Sequence, residues 1–449
     1  MSRALDSMLM RSACAIAVVA LTAVIVGFTE TGSPDGRVVV ELKNGESIEA
    51  FCGRHGLTLV DSIPGNSFLV EADATRLTEA SADAAVAATE PDLPLTVSEA
   101  AILSPASVAF LDPAIIDVLK DSELVLHGGN LWKKSVVVQR GIRRINADDV
   151  LRLADGTGIT VAVLDTGIDA SHPALVGSTI PGFNFLANDT NTDELLDVPP
   201  AIIDALRLAS ASLSSGVLTR LNPATVAFLD PAALSFVKTP PLYFGHGTLV
   251  SGLIHLIAPG ASILPVKAFD TSGTSTSFRV AKAIRYAVDR GAHVINMSFD
   301  MDQSSPLLAE TLDYAADHDV ILVASVGNRN TLVSSTYPAS HPAVVGVAAT
   351  NTEDGKARFS NYGPAVKVAA PGDSLISTYP AGLYAGIAGT SFAAAMVSGQ
   401  AALVRSKSTA PAADIVRRIL STSEPIAALN PGFALGAGRI DARDALRRR

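Results

Sequence analysis

Three short, glycine-flanked motifs carry side chains able to do nucleophilic chemistry. Asp165 follows the apolar run Val161-Ala-Val-Leu164 and opens Asp165-Thr-Gly-Ile-Asp169. His246 stands in Gly245-His-Gly-Thr248, ahead of Leu249 to Leu256, and Ser391 stands in Gly389-Thr-Ser391, ahead of Phe392 to Val397. A serine hydroxyl attacks a carbonyl carbon when a base takes its proton, and an imidazole is that base when a carboxylate fixes its tautomer and orientation. A carboxylate at the C-terminal end of a buried strand opens onto the crevice of a parallel sheet. Glycines on both sides of His246 allow close approach of backbone and ligand. A serine at a helix N-terminus sits at the positive end of the dipole, which favours a developing anion. Taken singly, each motif reads equally well as a capping Asp or Ser or a satisfied surface His. In the order Asp, His, Ser, each in the right strand or helix setting, coincidence is a poor explanation. The order also differs from the Ser, Asp, His of α/β-hydrolases and the His, Asp, Ser of chymotrypsin.

The surrounding elements are those needed to hold such residues. From about Gly141 onward, short apolar strands (Ile159 to Leu164, Ser262 to Val266, His293 to Met297, Val320 to Ala324) alternate with amphipathic segments. Ser277 to Arg290 places Val280, Ala283, Ile284, Ala287 and Val288 on one helical face. This alternation predicts an α/β domain with a mainly parallel sheet between helical layers. Ahead of it, residues 37–97 read as a small α+β domain: strands Arg37 to Leu42, Leu57 to Asp61 and Ser67 to Glu71, an amphipathic stretch Ile48 to His55, and an Ala-rich helix from Ala74 to Ala88.

Between the parts lies a repeat. Ser104-Pro-Ala-Ser-Val-Ala-Phe-Leu-Asp-Pro-Ala114 nearly recurs as Asn222-Pro-Ala-Thr-Val-Ala-Phe-Leu-Asp-Pro-Ala232, and Pro113-Ala-Ile-Ile-Asp117 recurs as Pro200-Ala-Ile-Ile-Asp204. Two copies are too few for a solenoid. One copy falls in an expected linker at 98–140, the other in an apparent insertion at about 188–241.

The 449-residue chain has a net charge of -10, without the basic face that nucleic-acid binders usually carry. Its two cysteines, Cys14 and Cys52, both precede the α/β part, which therefore uses neither disulfide nor thiolate chemistry. No Cys/His cluster has zinc spacing. Arg3 and Arg11 precede an apolar run, Ala13 to Phe28, that falls short of the roughly twenty residues of a membrane span. Residues 1–30 thus read as an export signal, with an uncleaved membrane anchor facing outside the cytoplasm as the alternative.

The three motifs together resemble those of the subtilisin-like serine protease family, over roughly Gly141 to Leu446. Ile295-Asn-Met-Ser298 resembles its substrate-binding strand and Ala370-Pro-Gly372 a common family turn. Arg37 to Val97 resembles the family's inhibitory, ferredoxin-like propeptide. The resemblance implies a three-layer catalytic domain over 141–449. It also implies a secreted endopeptidase, made as a self-processing zymogen, with Asp165, His246 and Ser391 as catalytic triad and Asn328 as oxyanion donor. Ser298, Phe299 and Asp300 would line one side of the P1 pocket and Ser325, Val326 and Gly327 the other, with Val326 and Thr336 narrowing it. Asp300 stands where many relatives have Gly; it either favours a basic P1 residue or is simply solvated. The expected partners are protein or peptide substrates and the chain's own propeptide, with cleavage between Val97 and Gly141, near Arg140.

Two departures from the family pattern stand out. Where relatives often have Pro and His after the serine, this chain has Ala395 and Met396. Where relatives show His-Pro-Asp-Leu, a source of a calcium ligand, it has His172-Pro-Ala-Leu175, and Gly252 reaches Ala258-Pro-Gly260 with almost no loop. Calcium takes six to eight oxygens, largely from such loops. The high-affinity calcium site of the family is therefore expected to be missing, with no metal and no cofactor required. Excess chelator should leave the melting temperature and activity unchanged; a large drop in melting temperature would refute this.

Overall fold

The computed structural model describes residues 36–43, 45–97, 123–204 and 243–447, and the backbone of 101–102. The apolar N-terminal run, both Val-Ala-Phe-Leu-Asp-Pro copies and most of the expected insertion lie outside the described residues. The chain divides into two compact units. One runs to Pro94 and takes in Thr276–Phe278; the other comprises Leu95–Ser275 and Arg279 onward.

The first unit runs β1 (Arg37–Leu42), α1 (Ile48–His55), β2 (Thr58–Ile63), β3 (Ser67–Glu71), α2 (Ala74–Ser81) and β4 (Val86–Pro91). Its antiparallel sheet has the order β2-β3-β1-β4. Val38, Val40 and Leu42 alternate along β1 and meet Phe51 of α1 and Leu77 of α2 in one apolar core. Ser47 caps α1 by accepting from the Ala50 N–H, and Gly56 ends it in the left-handed conformation that glycine adopts without strain. The Ala-rich stretch departs from expectation. The helix stops at Ser81, the Asp83 carboxylate accepts from the Ala85 N–H at 2.8 Å, and Val86–Pro91 joins the edge of β1 as a strand. Alanine favours helix by only about half a kcal/mol over most residues, and a strand register with β1 outweighs that.

The second unit opens with β5 (Pro94–Val97) and β6 (Ala101–Ile102). A hairpin follows, β7 (Leu124–His127) and β8 (Asn130–Lys133), then the short helices α3 (Lys134–Val137) and α4 (Arg140–Arg144). Next come β9 (Thr160–Asp165), β10 (Phe183–Asn184), α5 (His246–Ile257), β11 (Ser262–Lys267), β12 (Thr274–Thr276), α6 (Ser277–Asp289), β13 (Val294–Met297) and β14 (Phe299–Asp300). The rest is α7 (Pro306–Asp317), β15 (Ile321–Ser325), β16 (Val344–Thr350), β17 (Val368–Pro371), β18 (Leu375–Tyr379), β19 (Leu383–Ala388), α8 (Thr390–Arg405), α9 (Ala412–Ser421) and α10 (Ala442–Arg447).

Seven parallel strands form the central sheet in the order β10-β11-β9-β13-β15-β16-β17. Along the strands Val161, Val163, Val294, Ile321, Val323, Val345 and Val347 face a core shared with α5, α8, α9 and α10. The alternating Ala162, Leu164, Ile295 and Met297, buried as well, point to the opposite face. Strands buried on both faces explain the unbroken apolar runs of the sequence.

Residues 124–140, read from sequence as linker, are built into this unit. Trp132, Val136 and Ile142 belong to its core, and the His127 Nε2–H donates to the Leu256 carbonyl at 2.7 Å. The hairpin thus covers the C-terminal end of α5, where the chain turns at once into Pro259-Gly260.

Burial holds two histidines neutral. His172 donates from Nε2 to the Leu383 carbonyl at 2.8 Å, and desolvation pushes its pKa down to about 4. His255 stacks on Trp132, neither ring nitrogen has a hydrogen-bond partner, and desolvation again lowers it to about 4. Both folded values lie below the ordinary 6.5. Between those limits the unfolded chain binds protons that the folded chain does not, so stability is lost as pH falls from 6.5 towards 4. His255→Leu should remove one share of that loss; melting temperature against pH for both proteins will measure it.

Candidate active site

Asp165 closes β9 and is buried at its C-terminal end. Its Oδ1 accepts from the Thr166 N–H at 2.8 Å and from His246 Nδ1 at 2.7 Å. A carboxylate only accepts, so the imidazole proton sits on Nδ1 and Nε2 carries the lone pair. Nε2 is buried with no hydrogen-bond partner, the condition of a base awaiting a proton. His246 is the first residue of α5, and the helix start presses onto the loop after β9. A Cβ on Gly247 would come within 2.1 Å of the Gly167 carbonyl oxygen. That close approach requires glycine at 247; Gly167 is required for a different reason, its φ of 120° and a Cβ that would come within 2.5 Å of the Thr192 carbonyl oxygen.

Ser391 is the second residue of α8 and is fully buried. Its N–H belongs to the first turn, where helix N–H groups have no intrahelical partner. Its Oγ donates to the Ser298 carbonyl at 3.4 Å, and Ser298 Oγ donates back to the Ser391 carbonyl at 3.2 Å. The ring of Phe392, its neighbour, lies 5.7 Å from the His246 ring. The hydroxyl therefore rests on the Ser298 carbonyl and is not bonded to His246 Nε2; hydrogen bonds of this type often close only when substrate is bound. The Asn328 Oδ1 accepts from the Thr390 N–H at 2.8 Å and from Thr390 Oγ1 at 2.9 Å. Those bonds fix the amide with its oxygen towards Thr390 and its NH2 on the other end.

The residues expected to bind substrate lie after β13, on β14 and at the end of β15. Phe299 packs its ring on Phe269 with centroids 4.9 Å apart, and its backbone pairs with Val97. Ser325 ends β15; Asn361 holds the next two residues, its Nδ2 donating to the Val326 carbonyl at 2.8 Å and its N–H to the Gly327 carbonyl at 3.0 Å. Thr336 is buried. Asp300 is neither solvated nor an isolated charge: it is 9% exposed and ion-paired with Arg329 at 3.3 Å. Between β12 and β14 lies β5, pairing Val97 with Phe299 and Thr96 with Asp300, while the Val97 N–H donates to the Gly273 carbonyl at 2.8 Å. A peptide of this chain thus lies antiparallel to the strand that follows Ser298.

Sequence reasoning missed Glu194. It lies inside the stretch expected to be an insertion, on a 3₁₀ turn (Glu194–Asp197), and is fully buried. Its carboxylate accepts from the hydroxyls of Thr166 and Thr248 and from the Thr248 N–H at 3.1 Å. Neither threonine is near it in sequence, so no spacing marks it.

A buried carboxylate–imidazole couple beside a serine that opens a helix, at the C-terminal edge of a parallel sheet, is the constellation of a serine hydrolase. The sequence profile of the Subtilase family matches residues 156–438. Thermitase of Thermoactinomyces vulgaris is 31% identical over 318 residues, 69% of this chain and 95% of that protein. Subtilisin DY of Bacillus licheniformis is 31% identical over 309 residues, 68% of this chain and 97% of that protein. The crystal structure of fervidolysin from Fervidobacterium pennivorans, a keratinolytic enzyme related to subtilisin, matches with a TM-score of 0.66 at 22% identity, over 92% of this chain and 61% of that one. The chain belongs to the subtilase family of serine endopeptidases.

The Arg329 pairing removes the reason for Asp300 to attract a basic side chain. A peptide-library cleavage profile should show no gain for Lys or Arg at P1, whereas a clear preference for either would contradict this.

Proposed function

We propose that the protein is an endopeptidase exported from the cytoplasm as an inactive precursor, in which Asp165, His246 and Ser391 form the catalytic triad. The carrying observation is the 2.7 Å hydrogen bond between buried Asp165 and His246, which leaves Nε2 as an unpartnered base. As Ser391 Oγ bonds to the carbonyl carbon of a peptide, Nε2 takes its proton and ionised Asp165 stabilises the imidazolium. Asn328 Nδ2–H and the Ser391 N–H donate to the oxygen that becomes negative. The tetrahedral species collapses, the C–N bond breaks, and the departing amine takes the proton from Nε2. Water then repeats the sequence on the acyl ester. An extended substrate is held by main-chain pairing to the edges of β12 and β14, which select for an unfolded peptide segment.

The precursor reading is supported by β5. Thr96 and Val97 follow in sequence on the 37–91 sheet and pair with β14, as a substrate peptide would. Residues 37–97 then serve as intramolecular inhibitor until the chain is cut. Trp132, Val136 and Ile142 are core residues of the larger unit, so a cut near Arg140 would strip part of that core, and processing between Val97 and Glu123 fits better. Export rests on residues 1–30; among the described residues no helix is long and apolar enough to cross a membrane.

A fluorophosphonate probe should label the matured enzyme, obtained from the full-length chain, on Ser391 and fail on Ser391→Ala, with turnover falling by about 10⁶-fold. N-terminal sequencing of the mature form should begin between residues 98 and 123. No labelling of the matured enzyme would overturn the triad, and a mature start beyond Glu123 would overturn the processing window.

A further inference from the structure

Glu194 joins the two elements that carry Asp165 and His246, and does so by controlling hydroxyl direction. Thr166, next to Asp165, accepts at Oγ1 from the Gly247 N–H of α5 at 3.0 Å. Thr248 of α5 accepts at Oγ1 from the Asp169 N–H, in the loop after β9, at 2.8 Å. Each threonine therefore reaches across to the other's element, and each can do so only while its single hydroxyl proton points elsewhere. Both protons point at Glu194: Thr166 Oγ1 donates to Oε1 and Thr248 Oγ1 to Oε2. A second acceptor stands close to Thr166. Its Oγ1 is 3.3 Å from Asp165 Oδ1, the same oxygen that His246 Nδ1 uses at 2.7 Å.

We propose that Glu194 is a positioning residue for the proton-transfer couple: it draws the Thr166 hydroxyl proton away from Asp165, so that His246 Nδ1–H has undivided use of that carboxylate oxygen. The proposal rests on the triad assigned above. Glu194 touches neither substrate nor a reacting atom; it acts through Thr166 and Thr248.

The groups facing Glu194 are Asp165 on β9, Lys267 on β11 and Tyr379 on β18, with Asp193 and Asp197 on its own turn. Lys267 is drawn off by Asp197, at 2.5 Å. Burial, the largest effect, pushes Glu194 up to about 7, while the threonine hydroxyls and Lys267 pull it down.

Glu194→Gln separates the geometry from the size of the side chain. Thr248 offers two donors at this site, its N–H and its O–H, so the amide oxygen must turn to Thr248. The amide NH2 then faces Thr166, whose hydroxyl proton has to rotate to Asp165. An added donor on that carboxylate weakens its hold on the imidazolium. The expected result, from full-length chain after maturation and a chromogenic peptide, is a roughly three- to tenfold fall in kcat with KM unchanged. The acid limb of kcat/KM should move to lower pH. In a Thr166→Val background the same substitution should have no further effect on kcat. A Glu194→Gln enzyme whose kcat and pH profile superimpose on wild type, whatever its melting temperature, would overturn the proposal. If Glu194→Gln does not fold, Glu194→Ala in the wild-type and Thr166→Val backgrounds decides: the proposal requires the acid limb to shift in the first and not in the second, where no hydroxyl competes for Asp165, and equal shifts would overturn it. Wild-type labelling by the fluorophosphonate probe checks the triad separately, so failure of the triad is not mistaken for failure of this inference.

Discussion

Everything in the larger unit converges on one buried hydrogen bond, Asp165 Oδ1 to His246 Nδ1 at 2.7 Å. A carboxylate taken out of water costs several kcal/mol unless donors replace the lost hydration. Here the Thr166 N–H and the imidazole N–H supply two, both to Oδ1, while Oδ2 is buried without a hydrogen-bond partner. For those donors to meet one oxygen, the end of β9 and the start of α5 must lie almost in contact. Gly247 allows that approach, because a Cβ there would fall 2.1 Å from the Gly167 carbonyl oxygen. Thr166 and Thr248 then lace the two segments together through the Gly247 and Asp169 N–H groups.

The rest of the site is hung on neighbouring strand ends. β13 runs into Ser298, whose carbonyl holds the Ser391 hydroxyl. β15 runs into Ser325-Val326-Gly327-Asn328, and Thr390 fixes the amide of Asn328. Parallel strands deliver all of these residues to one edge of the sheet, where loops can converge without interrupting the buried ladder. Short β12 and β14 flank the same edge, and β5 shows that an extended peptide fits between them.

The smaller unit illustrates how local preference yields to pairing. Its strands β1 and β3 and its helix α1 lie where β-branched runs and a Ser cap indicate. The Ala-rich stretch Ala74 to Ala88 reads as one helix, yet the helix stops at Ser81 and Val86–Pro91 completes the sheet. Residues 124–140 are the counterpart in the larger unit. Nothing in their composition distinguishes a linker from a segment whose Trp132 is buried in a core assembled from distant strands.

The sequence by itself determined the chemistry class and the skeleton that carries it. Asp165, His246 and Ser391 are recognisable because each requires a local setting, strand end or helix start with glycine, that neighbouring residues encode. The parallel sheet is recognisable because two-sided burial makes its strands uniformly apolar. Tertiary structure decided what depends on partners far away in the chain. Glu194 gains its place from Thr166 and Thr248, 28 and 54 residues distant. Asp300 loses its apparent freedom to Arg329, 29 residues on. Burial of Ala174 and His172 beside Leu383 likewise comes from β19, over 200 residues later. Local propensity acts within a turn or a strand, whereas the partner of a buried charge is chosen by whichever distant segment the fold brings within about 3 Å of it.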